Sequence, residues 1–201
     1  MYRPATPWLL WLAWLAWLAL AACGTTVDDR PATLPYITET LLTPTCSAAT
    51  CHAAFVKPRA DVFDSVSAAR KSLHDNGLVS IGDTFVTGAG GFPKYPLDEA
   101  APHEAALITW ITQNNPFMQN IGRMPYDAPM PDEDVKFLEH WISIGAPGAQ
   151  CVPEYGDTCI LKELVSCRPD GNYGGLIADC QALGMKCKPS PDNSQPAVCG
   201  P

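Results

Sequence analysis

The chain of 201 residues is poor in charge, and what charge it has is mostly negative. Only 17% of its residues are charged, with 13 Lys and Arg against 21 Asp and Glu, which leaves a net charge of −8 at pH 7. Nucleic-acid binding depends on clustered basic side chains that neutralise phosphates. The sequence has no Lys/Arg cluster of that kind, so nucleic acid is excluded as an expected partner.

Familiar catalytic motifs are also missing. The sequence contains no Gly-x-Ser-x-Gly elbow and no His-Glu-x-x-His pair, and the glycine-rich stretch 88–91 lacks the Lys-Ser/Thr of a phosphate-binding loop. The carboxylates are scattered at predicted helix starts, where the helix dipole accounts for them. Enzymatic activity therefore stays open, and the pattern favours a protein that is not an enzyme.

Long apolar runs are absent except near the start. Residues 8–22 are 15 consecutive apolar residues after a leader with one basic residue, Arg3. A bilayer span needs roughly 20 such residues, so residues 1–22 are predicted to be a signal peptide. Leu20-Ala21-Ala22-Cys23 is similar to a bacterial lipobox, which implies a lipid on Cys23 and a tether over residues 23–32. The alternative is ordinary secretion with an unmodified Cys23.

This segment predicts the location of the protein and its association with a membrane. Acyl chains on Cys23 would hold the chain on a membrane. We expect a location in the bacterial cell envelope, outside the cytoplasm, on the periplasmic or outer-membrane face.

The nine cysteines fall into three groups. One is Cys23, two form the pair Cys46 and Cys51, and six lie in the last 51 residues. An even set of cysteines in a short exported segment is typical of disulfide bonding. Residues 150–201, called the C-terminal module below, are predicted to contain short strands, such as 161–166, and three disulfides of open connectivity among Cys151, Cys159, Cys167, Cys180, Cys187 and Cys199.

The residues before this module have helical periodicity. Apolar spacing predicts helices over 35–42, 60–75, 102–113 and 131–144, with Pro44, Gly77 and Gly145 as stops. The Gly/Pro-rich stretch 78–101 is long for a loop, which is typical of a functional segment. We therefore predict an all-α fold class, with a small helical domain over 33–149 that ends in a linker at 145–150 and precedes the C-terminal module.

The Cys46-x4-Cys51-His52 sequence is the strongest chemical motif. The usual attachment site of c-type haem is Cys-x-x-Cys-His, in which two thiols bind the haem and the His ligates the iron. Here the spacer has four residues, and its small side chains would have to loop out. The alternative is a disulfide between Cys46 and Cys51, with His52 and Met124 as ordinary packing residues.

Residues 33–148 resemble the c-type cytochrome domains of exported planctomycete and myxobacterial proteins. The likeness rests on Cys51-His52, on Met124-Pro125, and on the final helix with Trp141-Ile142 followed by Gly145-Ala146. The resemblance implies a cytochrome c-like helical fold with haem c attached at Cys46 and Cys51. It also implies iron ligation by His52 and Met124, and single-electron exchange with a redox partner protein.

Several residues leave alternatives open. Met130, which also precedes a proline, is a second candidate for the distal ligand, while His74 and His103 are remote candidates and His140 is expected to face solvent. Trp110 and Trp141 would line a haem cleft or simply fill the core. The alternative function is a haem-free envelope lipoprotein that uses the same scaffold for binding or structure.

Overall fold

The computed structural model describes residues 28–47, 61–79, 100–112, 124–125, 128–189 and 195–201. Its helices are α1 (Leu34–Ile37), α2 (Thr43–Cys46), α3 (Val66–Asp75), α4 (Ala106–Thr112) and α5 (Asp132–Ser143). A π-helical turn, Thr38–Leu42, joins α1 to α2, and 3-10 turns lie at Pro102–Glu104 and Pro153–Tyr155. The predicted stretch 78–101 lies largely outside the described residues.

Local sequence signals explain where α3 and α5 end. The Ser65 side chain caps α3 by accepting from the Ala68 N–H. At the other end Gly77 has a φ of +59°, and the Leu78 N–H donates to the Leu73 carbonyl at 2.9 Å. The same arrangement closes α5, where the Ala146 N–H donates to the Trp141 carbonyl at 2.9 Å. These are Schellman endings, which a glycine just past the helix favours.

The apolar faces of the helices form one core. Apolar side chains from α1, the π-helical turn, α3, α4 and α5 are buried together in it. The core continues past α5 through Ala146 and Ala149. The segment predicted as a linker thus begins with packed residues.

The C-terminal module contains short antiparallel strands. β1 (Thr158–Ile160), β2 (Glu163–Cys167) and β3 (Tyr173–Asp179) form a three-stranded sheet in that order, and β4 (Lys186–Lys188) pairs with β5 (Val198–Gly200). In the register Val165 lies opposite Leu176 and Cys187 opposite Cys199. The sheets position the cysteines for bonding.

Three disulfides confirm the prediction of a bridged module. They join Cys151 to Cys167, Cys159 to Cys187 and Cys180 to Cys199, with Cα–Cα distances of 5.9, 5.8 and 5.3 Å. Such bridges are typical of proteins that fold in an oxidising, extracellular-type environment. None of the helices in the described part of the chain is long and apolar enough to cross a membrane.

The predicted all-α class is wrong. The described residues form a mixed fold of helices and two antiparallel sheets, and Pro31–Pro201 form one compact unit. β1, β4 and β5 have three residues each, too few to show the period-two alternation by which strands are recognised. Disulfides between Cys159 and Cys187 and between Cys180 and Cys199 include a residue of each of these three strands and hold them in place.

Candidate functional site

Cys46 lies at the end of a helical run that passes through a proline. The sequence predicted a helix end before Pro44, but the run continues through the π-helical turn into α2. Pro44 has no N–H to donate, and a proline ring clashes with the carbonyl four residues earlier in a regular helix. The wider turn avoids this, because the Thr43 N–H reaches back to the Thr38 carbonyl. The extension brings Cys46, half-buried, against the edge of the core.

Two hydroxyl groups, one within this helical run and one directly after it, are buried. Thr38 Oγ1, in the π-helical turn, and Ser47 Oγ, directly after Cys46, are both buried and have no hydrogen-bond partner within the described residues. Buried polar atoms are normally paired, and an unpaired one indicates a missing water, ion or ligand. The Ser47 hydroxyl therefore marks a position beside Cys46 where a polar group of another molecule would be accommodated.

Met124 is held beside α4. Its backbone N–H donates to the Trp110 carbonyl at 2.8 Å, and its side chain is half-buried. Trp110 packs against the same core as Cys46. Cys46 thus lies at the margin of the core, and Met124 is bonded through its backbone to Trp110 at the same core, while Cys51, His52 and Cys23 lie outside the described residues.

Several other candidate residues from the sequence are either buried in the core or exposed to solvent. Met130 is buried in the core with 5% exposure, and Trp141 is fully buried with its indole N–H donating to the Pro147 carbonyl at 3.2 Å. His103 and His140 are exposed. Among the described residues no group of three or more His, Cys, Asp or Glu is arranged to hold a metal ion.

Sequence reasoning missed Arg70, whose guanidinium is buried where the helices meet the C-terminal module. Its Nε donates to the Gly148 carbonyl at 2.7 Å and an Nη to the Asp170 carbonyl at 3.1 Å. Burial lowers the pKa of Arg70, although the negative charges of Glu154 and Asp170 oppose this. A Cβ on Gly171 would collide with the guanidinium, so only glycine fits there.

A signal for Arg70 was present in the sequence. Residues 66, 70 and 73 are spaced so that Arg70 shares the apolar face of α3 with Val66 and Leu73. A single basic residue on such a face indicates a buried hydrogen-bonding role.

A second polar cluster joins α3 to the 3-10 turn at Pro153–Tyr155. The Tyr155 hydroxyl donates to Asp75 Oδ2 at 2.6 Å, and His74 Nδ1 lies 3.0 Å from Asp75 Oδ1. Next to it, the Ser67 hydroxyl donates to Glu154 at 2.7 Å. These side chains attach the C-terminal module to the exposed side of α3.

Asp75 is the acceptor at the centre of this cluster. Burial alone would raise the pKa of its carboxyl, but hydrogen bonds from His74 and Tyr155 and the charges of His74 and Lys71 outweigh burial and lower the pKa. Burial, followed by the contact with Asp75, raises the pKa of Tyr155. The cluster is therefore built around an ionised Asp75.

The attachment is expected to weaken in acid. Because the pKa of Asp75 is lower in the folded protein than in the unfolded chain, its stabilisation is present above the usual Asp pKa of about 3.9 and is lost as the pH falls through the lowered value. Tyr155→Phe should lower the free energy of unfolding by about 1 kcal/mol near neutral pH and by less in acid. Urea denaturation at both pH values measures this.

A matched pair provides the control. His103 and Glu104 are also adjacent, but they are exposed, with His103 Nε2 and Glu104 Oε1 3.7 Å apart. Glu104→Gln should leave the pH dependence of unfolding unchanged. An equal loss in Tyr155→Phe at both pH values would contradict the role given to Asp75.

Comparisons of the chain with protein-family models, with curated proteins and with solved structures found no match.

Proposed function

We propose that this protein is an exported, lipid-anchored c-type cytochrome that transfers single electrons in the bacterial cell envelope. Haem c would be attached at Cys46 and Cys51, with His52 and Met124 as iron ligands and Cys23 as the lipid-bearing residue. The oxidising environment indicated by the three disulfides is compatible with the envelope location.

The observation that carries the proposal is the environment of Cys46 and Ser47 at the end of α2. Cys46 is half-buried against the core there, and the buried Ser47 hydroxyl beside it lacks a partner within the described residues. The apolar ring of a haem would suit the edge of the core beside Cys46. Its propionates accept hydrogen bonds and would suit the Ser47 hydroxyl. The described residues near Cys46 therefore fit the group.

Burial supports Met124 over Met130 as the distal ligand. The Met130 side chain is already packed in the core, whereas Met124 is half-buried and its backbone is tied to Trp110. The bond between the two backbones would keep the thioether close to α4. Trp110, which packs on the edge of the core, would exclude water on that side.

Bound between a His and a Met, haem iron supplies one-electron redox chemistry at a raised potential. The task of the chain is to hold the group and shield it. Cys46 and Cys51 would fix its position, and His52 and Met124 would both ligate the iron, which favours electron transfer over the binding of an external ligand.

Expression of the chain with a working cytochrome-maturation system tests the proposal. The purified protein is expected to be coloured, to show the α-band of a reduced c-type haem, and to keep the added haem mass after denaturation. The double variant Cys46→Ala/Cys51→Ala should lose all covalent haem.

Matched methionine variants test the ligand. Met124→Leu is expected to lose the low-spin spectrum, while Met130→Leu keeps it, because both changes conserve volume and only the first would remove the iron ligand. A colourless protein would overturn the cytochrome and favour the haem-free envelope lipoprotein. Loss of the spectrum only in Met130→Leu would reassign the ligand.

A further inference from the structure

The C-terminal module exposes large apolar side chains at one end. Leu161 is 62% exposed, Leu183 59% and Met185 42%. Leu161 is in the turn between β1 and β2, and the other two lie between β3 and β4. Large apolar side chains that are exposed together indicate an interaction surface.

Backbone hydrogen bonds hold these turns together. The buried Cys180 donates its N–H to the Lys162 carbonyl at 3.0 Å and accepts from the Met185 N–H at 2.8 Å. The same residue is bonded to Cys199. Leu161-Lys162 and Met185-Lys186 are thus fixed on either side of one disulfide-bonded residue. We call residues 161–162 and 183–186 the Leu-Lys apex.

In the apex, a lysine directly follows two of the three exposed apolar residues. Lys162 follows Leu161, Lys186 follows Met185, and all four side chains are exposed. Two carboxylates lie next to the apex, because Glu163 directly follows Lys162 and is paired with Asp179 in the strand register. The apex itself carries no acidic residue, in a chain whose net charge is −8. The two charged residues of the apex itself are thus both basic, and Glu163 and Asp179 border them.

We propose that the Leu-Lys apex docks on an anionic lipid surface. Leucine and methionine side chains enter the boundary between headgroups and acyl chains, and lysines beside them keep their ammonium groups among the phosphates. Lysine attraction to an anionic membrane surface adds to the apolar contact. The proposed lipid anchor would place the apex near such a surface, but the docking itself does not depend on the anchor or on haem.

The test uses residues 23–201 with Cys23→Ser, so that neither the leader nor a lipid contributes. This chain contains the whole compact unit Pro31–Pro201. Sedimentation with vesicles of phosphatidylcholine alone, or of phosphatidylcholine and phosphatidylglycerol in equal parts, measures binding. We expect tighter binding to the anionic vesicles, weakened by salt.

Two variants remove the two parts of the surface. Lys162→Gln/Lys186→Gln is expected to weaken binding to anionic vesicles about 25-fold, since each lysine near such a surface contributes about fivefold. Leu161→Asn/Leu183→Asn is expected to weaken it by about tenfold or more.

The control changes apolar residues of similar exposure elsewhere in the module. Leu176 and Ile177 of β3 are 59% and 49% exposed, and Leu176→Asn/Ile177→Asn should bind anionic vesicles as the parent chain does. An equal loss in this control would overturn the assignment to the apex. Equal binding to both kinds of vesicle, or none, would overturn the proposal, and so would self-association in sedimentation equilibrium that Leu161→Asn/Leu183→Asn abolishes. None of these results depends on haem, whose presence is read from the spectrum.

Discussion

Trp141→Ala is expected to lower the free energy of unfolding by about 3–5 kcal/mol, the largest effect of any single change considered. Trp141 is the largest of the fully buried side chains, and its indole N–H donates to the Pro147 carbonyl. That carbonyl also accepts from the Leu34 N–H at 3.0 Å. Alanine would leave a cavity in the core and remove one of the two hydrogen bonds through which the Pro147 carbonyl connects α5 with α1.

Urea denaturation followed by far-ultraviolet circular dichroism measures the loss without relying on tryptophan fluorescence. Trp141→Phe provides a graded control, because it fills most of the volume and removes the N–H; we expect a loss of about 1–2 kcal/mol. Trp110→Ala should cost less than Trp141→Ala, since Trp110 is half-buried. A loss below about 1 kcal/mol in Trp141→Ala would contradict the packing of α5.

Arg70→Ala is expected to lower the free energy of unfolding by about 3 kcal/mol. The change removes two charge-assisted hydrogen bonds and leaves the Gly148 and Asp170 carbonyls without their donor. These bonds span α3, the segment after α5 and the turn between β2 and β3. The loss should therefore separate the helices from the C-terminal module, and unfolding monitored in both parts should become less cooperative.

Arg168 is the matched control, because it contacts the side chain of Asp170 at the protein surface. Its guanidinium lies 3.4 Å from the Asp170 carboxylate, and both side chains are more than half exposed. Arg168→Ala should change stability by no more than about 1 kcal/mol, as for other surface pairs. Equal losses in the two variants would mean that Arg70 is no more important than a surface arginine.

The helix stops at Gly77 and Gly145 were correctly predicted, but α3 begins at Val66 and not at residue 60, because the Ser65 cap was not recognised. Ser65 and Gly77 bound α3, and Gly145 closes α5, because caps act through residues adjacent in sequence. The prediction that the first helix stops at Pro44 was wrong. A proline normally ends a helix, and only the π-helical turn allows this one to continue to Cys46.

The candidate site was predictable in part. The Cys46 to His52 motif was found from residue types and spacing, Met124 came from the resemblance to c-type cytochrome domains, and both remain predictions. The hydrogen bond of Met124 to Trp110 joins two separate segments of the chain. Periodicity describes one element at a time, and it carries no information on which elements meet.

By itself the sequence determined the apolar faces of the helices, the glycine stops of α3 and α5, and an even set of six cysteines in the C-terminal module, because each depends on residues close together along the chain. Only the tertiary structure decided which cysteines pair, that Arg70 is buried against two carbonyls, and that the Cys180 N–H donates to the Lys162 carbonyl. Those contacts join residues 16 to 100 positions apart. Their closeness follows from the packing of whole elements, which no local pattern encodes.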